Sequence, residues 1–282
     1  MNKKSTYLAL PYFLWAIIFT VLPLFLVFMF AIFKKDADGY HFTTQYLYEL
    51  AEKKDIILSS LLKSFKLSAI ATVVCLILGY PLAYILANSK SKHKSFLTTL
   101  IILPMWMNFL LRTYALLSLM NYSVDMVSSI FEFLHLAPLE LQYTENTIII
   151  GMIYNYLPFM VLPIHSVLSK MDSRLIEAAE DLGANKIRVF TKVIFPLSIG
   201  GVISGIEMVF IPSITTFALS KMLGGGKTLL IGDMIESQFI ETPNWGFGAI
   251  LSVIVIFIVL LFMFLSSRFG SSDKESGGGL LG

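Results

Sequence analysis

Cysteine is nearly absent, with Cys75 alone among 282 residues, so no internal disulfide and no cysteine-based metal or redox centre can form. Charge is also scarce. Charged residues make up 14% of the chain against 56% hydrophobic ones, and the mean hydropathy of +0.76 lies outside the range of soluble domains. The formal net charge is +2, and the lysines are spread over several loops, which excludes a nucleic-acid patch. His41, His93, His135 and His165 fall in different loops or spans, so neither a metal cluster nor a Ser-His-Asp arrangement can be argued. Gly224-Gly225-Gly226-Lys227-Thr228 ends as a phosphate-binding loop does, but the required first glycine falls on Lys221 and no buried strand precedes it. No hydrolytic or nucleotide site is expected in this chain.

Long apolar runs are what the chain has in abundance, and they predict an all-α membrane protein. Six runs reach the length of about 20 residues that crosses a bilayer as helix: near Leu8–Phe33, Leu67–Ala87, Leu97–Met120, Thr147–Leu168, Leu197–Leu219 and Phe247–Ser267. The first follows Lys3 and Lys4, but it exceeds the roughly 7 to 15 apolar residues of a signal core and is read as a retained span. Seven prolines (Pro11, Pro23, Pro81, Pro104, Pro158, Pro163 and Pro212) lie within or beside spans, where they kink helices. Residues 1–270 read as a single transmembrane domain and 271–282 as a flexible tail.

Loop charge sets the expected orientation. Lys90, Lys92 and Lys94 occupy the second loop, and Lys170, Arg174, Lys186, Arg188 and Lys192 the fourth. The third loop carries Asp125, Glu132, Glu140 and Glu145 without a basic residue. Both termini are therefore expected in the cytoplasm. Against this stand Lys34, Lys35, Lys53, Lys54, Lys63 and Lys66 of the long first loop, where the rule is weak. Within that loop, Phe42–Leu62 has helical spacing suited to the membrane surface. Asp233, Glu236 and Glu241 of the fifth loop, with the acids of the third, form an expected extracellular acidic rim that favours arrival of a cation.

Two charges fall inside spans, Arg112 in the third and Glu207 in the fifth. An ionised group there costs about 2.5 to 3.5 kcal/mol on insertion scales, so each must face protein, water or an opposite charge. Two arrangements satisfy this: a structural Arg112–Glu207 pair, or Glu207 lining a cation path with Arg112 engaged elsewhere. Trp106, Asn108, Tyr114 and Tyr154 on neighbouring spans are candidate substrate contacts by stacking or hydrogen bonding.

Between the fourth and fifth spans, Leu175, Ala178, Ala179 and Leu182 recur at helical spacing in a polar segment. Asp172 or Ser173 can cap the start, and Gly183 supplies a left-handed stop. Glu177-Ala178-Ala179, three residues, Gly183, nine residues and Val193-Ile194-Phe195-Pro196 resemble the EAA signature of ABC-importer permeases, with Val193 and Phe195 replacing the usual Ile and Leu. Phe210-Ile211-Pro212, Leu223-Gly224-Gly225, Leu229-Leu230-Ile231-Gly232, Gln238-Phe239 and Trp245-Gly246-Phe247-Gly248-Ala249 are similar to the spermidine/putrescine branch, the PotB type. Gly79-Tyr80-Pro81-Leu82-Ala83-Tyr84, Leu103-Pro104 and Arg112-Thr113-Tyr114 follow the general permease pattern.

The resemblance implies a six-span MetI-like bundle forming half of an alternating-access pathway for polyamines in a bacterial plasma membrane. It makes Leu175, Glu177, Ala178, Ala179, Leu182 and Gly183 the coupling segment that docks on a cytoplasmic ATPase. The implied partners are a second permease subunit (PotC type), two ATPase copies (PotA type) that carry ATP and Mg, and an extracellular binding protein (PotD type). This chain itself would bind no cofactor. Permeases for ferric iron, thiosulfate or phosphonate share the core and the motif, and remain alternatives. An ion-coupled secondary transporter should show internal symmetry or several intramembrane carboxylates, and neither is evident; an intramembrane enzyme would need a catalytic pair, for which Arg112 and Glu207 are poor candidates.

Overall fold

The structure, a computed structural model, describes residues 11–12, 14–36, 39–89, 94–120 and 143–270. The expected tail and the third-loop acids Asp125, Glu132 and Glu140 lie outside the described residues. Among the described residues, five helices are long and apolar enough to span a membrane: α1 (Leu14–Ile32), α3 (Lys54–Asn88), α6 (Glu145–Ser169), α8 (Lys186–Ile214) and α11 (Trp245–Arg268, continuing to Gly270). The third apolar run forms a bent pair, α4 (Lys94–Trp106) and α5 (Phe109–Met120), bent by 100°; counted as one broken span it is the sixth. The third span expected as one helix over Leu97–Met120 is thus broken. At the break, Oδ1 of Asn108 accepts the amides of Leu110 and Leu111 at 2.9 and 3.2 Å and starts α5 as a helix cap.

The described residues fall into two compact units, one drawn from Met1–Ser59 and Met234–Leu260, the other from Ser60–Asp233 and Leu261–Gly282. In the first, α1 leads into an antiparallel hairpin of β1 (Phe33–Asp36) and β2 (Gly39–Phe42), in register from Phe33 opposite Phe42 to Asp36 opposite Gly39. The short helix α2 (Gln45–Glu52) follows. The surface helix expected over Phe42–Leu62 is therefore a strand end, a short helix and the start of α3. The Thr43 hydroxyl accepts the Gln45 amide at 3.1 Å as α2 opens, and Asp55 in the first turn of α3 favours a new helix start there. Asn244 donates to Glu49 at 3.2 Å, Lys53 meets Glu49 at 2.7 Å, and the ring of Phe30 meets Trp245 edge-on at 5.9 Å.

In the second unit, Leu67, Ala71, Cys75, Tyr80, Ala83 and Leu86 form one buried stripe of α3, joined in a single core with Ile148, Met152, Met160 and Ile164 of α6 and Val202 and Val209 of α8. Helices α6 and α8 pack closely because Gly201 and Gly205 lie one turn apart. A Cβ at Gly201 would lie 3.0 Å from the Pro163 carbonyl, and one at Gly205 2.7 Å from the Met160 sulfur. Helix α8 begins eleven residues before the expected Leu197, and its π turn at Phe190–Ile194 sets the register in which Pro196 enters the helix. It ends at Ile214 instead of Leu219: the hydroxyls of Ser213 and Thr215 bond the carbonyls of Val209 and Ile211 and compete with the helical ladder. The short α9 (Ala218–Leu223) follows.

Lys63 and Lys66 lie 3.6 and 3.5 Å from the Glu145 carboxylate. Two of the lysines that conflict with the charge rule thus share one end of the bundle with the start of α6, and there they oppose an acid of the third loop.

Candidate functional site

The EAA segment folds as helix α7, Ser173–Asp181, between defined ends. Asp172 caps its start: Oδ1 accepts the Arg174 amide at 3.0 Å, and the Arg174 guanidinium returns to Oδ2 at 2.7 Å. That guanidinium holds the Asp172 carboxyl below the usual carboxylate range. At the other end Gly183 adopts φ +80°, its amide donates to the Glu180 carbonyl at 2.9 Å, and the Ala184 amide donates to Ala179 at 3.0 Å. Both bonds of a Schellman stop are present. Asn185 then caps α8 through the Arg188 amide at 2.9 Å.

The expected stripe divides between two faces. Ile176 and Ala179 pack inward against the core with Met171 and Ala184. Leu175, Ala178 and Leu182 face outward, and Leu182 is 89% exposed. Ala179 therefore supports the helix instead of belonging to its outer surface, because Ile176 and Ala179 share the inward face one turn apart. Ile187, 73% exposed, is an outward apolar residue missed in the sequence; its signal is an aliphatic side chain between Lys186 and Arg188 directly after a helix stop. Glu177, Glu180 and Asp181 are exposed on α7.

Behind α7, aromatic side chains tie the start of α8 to α3. Phe190 stands edge-on to Tyr80 and Tyr84 of α3 at 5.7 and 5.9 Å, and the Tyr80 hydroxyl meets the Ser198 hydroxyl at 2.8 Å. An open cleft of 260 Å³ separates these helices from α7, bordered by Asn88, Leu168, Ser173 and Ile194. The segment after α7 leads directly into α8, which runs from Lys186 to Ile214 and is long and apolar enough to span a membrane.

The two intramembrane charges do not meet. Arg112 is 5% exposed; its Nε donates to Oδ1 of Asn155 at 2.8 Å and its Nη1 to the Pro104 carbonyl at 2.5 Å. Glu207 instead accepts a hydrogen bond from the Ser266 hydroxyl of α11. The paired alternative is thereby corrected: a carbonyl and an amide satisfy the guanidinium, and a hydroxyl meets the half-buried carboxylate. Trp106, Asn108, Tyr114 and Tyr154 all lie on the exposed surface, with Trp106 at 80% beside the break between α4 and α5. An apolar groove of 570 Å³ runs between α4, α6 and α8, lined by Met105, Phe159, Pro163, Ser204 and Met208.

The acidic rim loses one member. Asp233 is buried in helix α10 (Ile231–Ile240), where it accepts from the Ser220 hydroxyl at 2.7 Å and the Leu230 amide at 2.9 Å. It closes a helix start, a role set by Ser220 thirteen residues earlier in the chain. Glu236 is half-buried and Glu241 exposed. Among the described residues, no group of three or more His, Cys, Asp or Glu side chains is placed to hold a metal. Lys227 of the glycine-rich turn lies 6.0 Å from the Tyr143 ring centroid.

Known proteins resemble this chain along most of its length. Residues 79–271 match the family described as binding-protein-dependent transport system inner membrane component. The spermidine/putrescine transport system permease protein PotB of Haemophilus influenzae is 33% identical over 269 residues, covering 95% of this chain and 94% of that protein. PotB of Escherichia coli (strain K12) is 39% identical over 223 residues, covering 76% and 80%. Among solved structures, a bacterial ABC transporter involved in the import of the acidic polysaccharide alginate aligns with a TM-score of 0.71 at 14% identity, covering 93% of this chain and 94% of that one. The methionine transporter MetNI, in an inward-facing conformation, aligns with a TM-score of 0.57 at 15% identity, covering 76% and 94%. These two likenesses concern the fold, which is that of the MetI-like permeases. With its apolar spans and a family profile matched over more than half its length, this multi-pass membrane chain belongs to the inner-membrane components of binding-protein-dependent transport systems.

Proposed function

We propose that this chain is one membrane half of an ATP-driven importer of polyamines, with α7 as its contact with a separate ATPase. The observation that carries the coupling role is the outward face of Leu175, Ala178, Leu182 and Ile187, held between a capped start and a Schellman stop. Likeness to two PotB proteins supports spermidine and putrescine as cargo. The same likeness supports a second permease of similar fold, two ATPase subunits that bind ATP and Mg, and an extracellular binding protein. In this arrangement α7 and both termini face the cytoplasm, and the paired Lys63, Lys66 and Glu145 lie at the outer face.

Glu207 is the proposed carboxylate of the cation path. Ser266 supplies one neutral hydrogen bond to it, so its charge is left for a passing ammonium group, while Trp106, Asn108, Tyr114 and Tyr154 offer aromatic and amide contacts. The test is radiolabelled spermidine uptake in a host lacking its own polyamine importer, with this chain expressed together with the products of its neighbouring reading frames. ATP-dependent spermidine uptake that competes with putrescine, and that requires this chain, supports the proposal. A complex that assembles but imports only a non-polyamine cargo overturns the cargo reading. Uptake driven by an ion gradient with no ATPase present overturns the coupling reading.

A further inference from the structure

The break in the third span is not where its proline would put it. Pro104 lacks the amide that would bond the Leu100 carbonyl, so its effect falls on the turn before the break at Met107 and Asn108. A continuous helix would instead need the Asn108 amide to bond the Pro104 carbonyl. That carbonyl accepts from the Met107 amide at 3.2 Å and from Nη1 of Arg112 at 2.5 Å. A side chain has entered the ladder at the point where the helix would go on, which is an established cause of sharp kinks.

The same guanidinium is fixed from its other side. Nε donates to Oδ1 of Asn155 at 2.8 Å, and Nδ2 of Asn155 donates to the Gly151 carbonyl at 2.8 Å, so Arg112 joins α4, α5 and α6. No carboxylate pairs with Arg112 among the described residues. Its charge is compensated by a carbonyl and an amide oxygen, and loss of the carbonyl would leave a buried cation under-satisfied.

We propose that Arg112 is a positioning residue that holds the third span broken, and that release of its bond to the Pro104 carbonyl lets α4 and α5 join into one helix. The break sets where Trp106 and Asn108 stand, so through them Arg112 controls the proposed substrate contacts without touching substrate. That last consequence rests on the permease reading above; the break itself does not.

Spin labels at Phe96 and Leu119, both exposed and on opposite limbs, measure the break in the reconstituted transporter. At 1.5 Å per residue the two backbone positions lie about 21 Å apart across a 100° bend and about 35 Å apart along a continuous helix. The wild type should give the short distance, with the long one at the roughly 0.1–10% of a minor state. Arg112→Gln should raise the long fraction at least about tenfold. Arg112→Lys, which keeps one donor for the carbonyl, should restore the short distance. An unchanged short distance in Arg112→Gln, or a long distance in the wild type, overturns the proposal. Should Arg112→Gln fail to assemble, Arg112→Met is read in its place, since it keeps the length of the side chain, removes every donor to the Pro104 carbonyl and buries no unpaired amide; a short distance alone there also overturns the proposal. Failure of wild-type spermidine uptake would remove the cargo reading and leave this distance result standing.

Discussion

Gly183→Val isolates the stop of α7, the proposed coupling helix, from every other contact. At φ +80° an L-residue is held in the left-handed region, yet no described atom lies within 4 Å of where a Cβ would sit. The substitution therefore adds strain and no clash. The strain is about 1–2 kcal/mol for an ordinary side chain, and β-branching places valine at or above the upper end. At 1.4 kcal/mol per factor of ten, the ratio of chains that keep the bonds from Gly183 to Glu180 and from Ala184 to Ala179 to chains that lose them falls roughly 5- to 30-fold. Leu182, the most exposed side chain of the outward face, is then no longer fixed. In proteoliposomes containing the whole transporter, ATP-driven spermidine uptake should fall, by up to a similar factor. Gly183→Asn should lie between valine and the wild type, because asparagine tolerates the left-handed region. The thermal midpoint of the membrane core should not move, since Gly183 is exposed and touches no core residue. Wild-type uptake in both variants, at equal protein in the membrane, would refute the reasoning that the stop positions the ATPase contact.

Five further outcomes follow from the same structure. Ala178→Asp places a charge on the outward face of α7, and should abolish uptake and co-purification of the ATPase while membrane content stays normal. Retained co-purification would count against this face as the dock. Glu207→Gln should lower uptake in a fully assembled complex, and Arg112 neutralisation should not restore it, because Arg112 bonds Asn155 and Pro104 instead; rescue by the double variant would restore the ion pair. Asp233→Asn leaves the Ser220 hydroxyl or the Leu230 amide facing a nitrogen, costing about 1–3 kcal/mol and lowering the thermal midpoint equally at low and high salt. Glu241→Gln should instead reduce uptake at low salt only, since the charge of this exposed residue is screened over about 8 Å at physiological ionic strength. Gly205→Leu drives a side chain into Met160 and should destabilise the α6–α8 contact by about 1–3 kcal/mol or more, read as a lower melting point in detergent.

What could be read from the sequence was largely what is decided within a few residues. The cap at Asp172 and the stop at Gly183 depend on local backbone chemistry, and they appear at the expected residues. The long apolar spans are legible for a related reason: hydrocarbon selects on composition over about 20 residues whatever the neighbours are. Which face of α7 points outward is a different matter. Spacing alone allows Ala178 and Ala179 to be grouped together, and only the core reached by Met171 and Ile176 separates them. Asp233 was misassigned likewise, because an acid in a loop reads as solvated until Ser220 and the Leu230 amide close around it.

Arg112 shows where charge ceases to be a guide inside a membrane bundle. Its burial was legible from its place in an apolar run, and so was its need for compensation. Its partners were not, because opposite charge is only one way to satisfy a guanidinium. With five N–H donors it can be met by any oriented oxygen, and a membrane helix offers a carbonyl at every residue. Ion pairing would have tied Arg112 to Glu207, the one other charge at mid-span, and would have left both residues structural. Hydrogen bonding to Pro104 and Asn155 does something else: it uses the arginine to reshape its own span, and among the described residues it leaves Glu207 with the hydroxyl of Ser266 as its side-chain partner. A carboxylate so lightly held can exchange its partner for a passing cation at little cost, whereas one locked to a buried arginine would have to break an ion pair at each turnover. On the proposed reading of Glu207 as the carboxylate of the cation path, the separation of the two charges is what leaves it available to a polyamine.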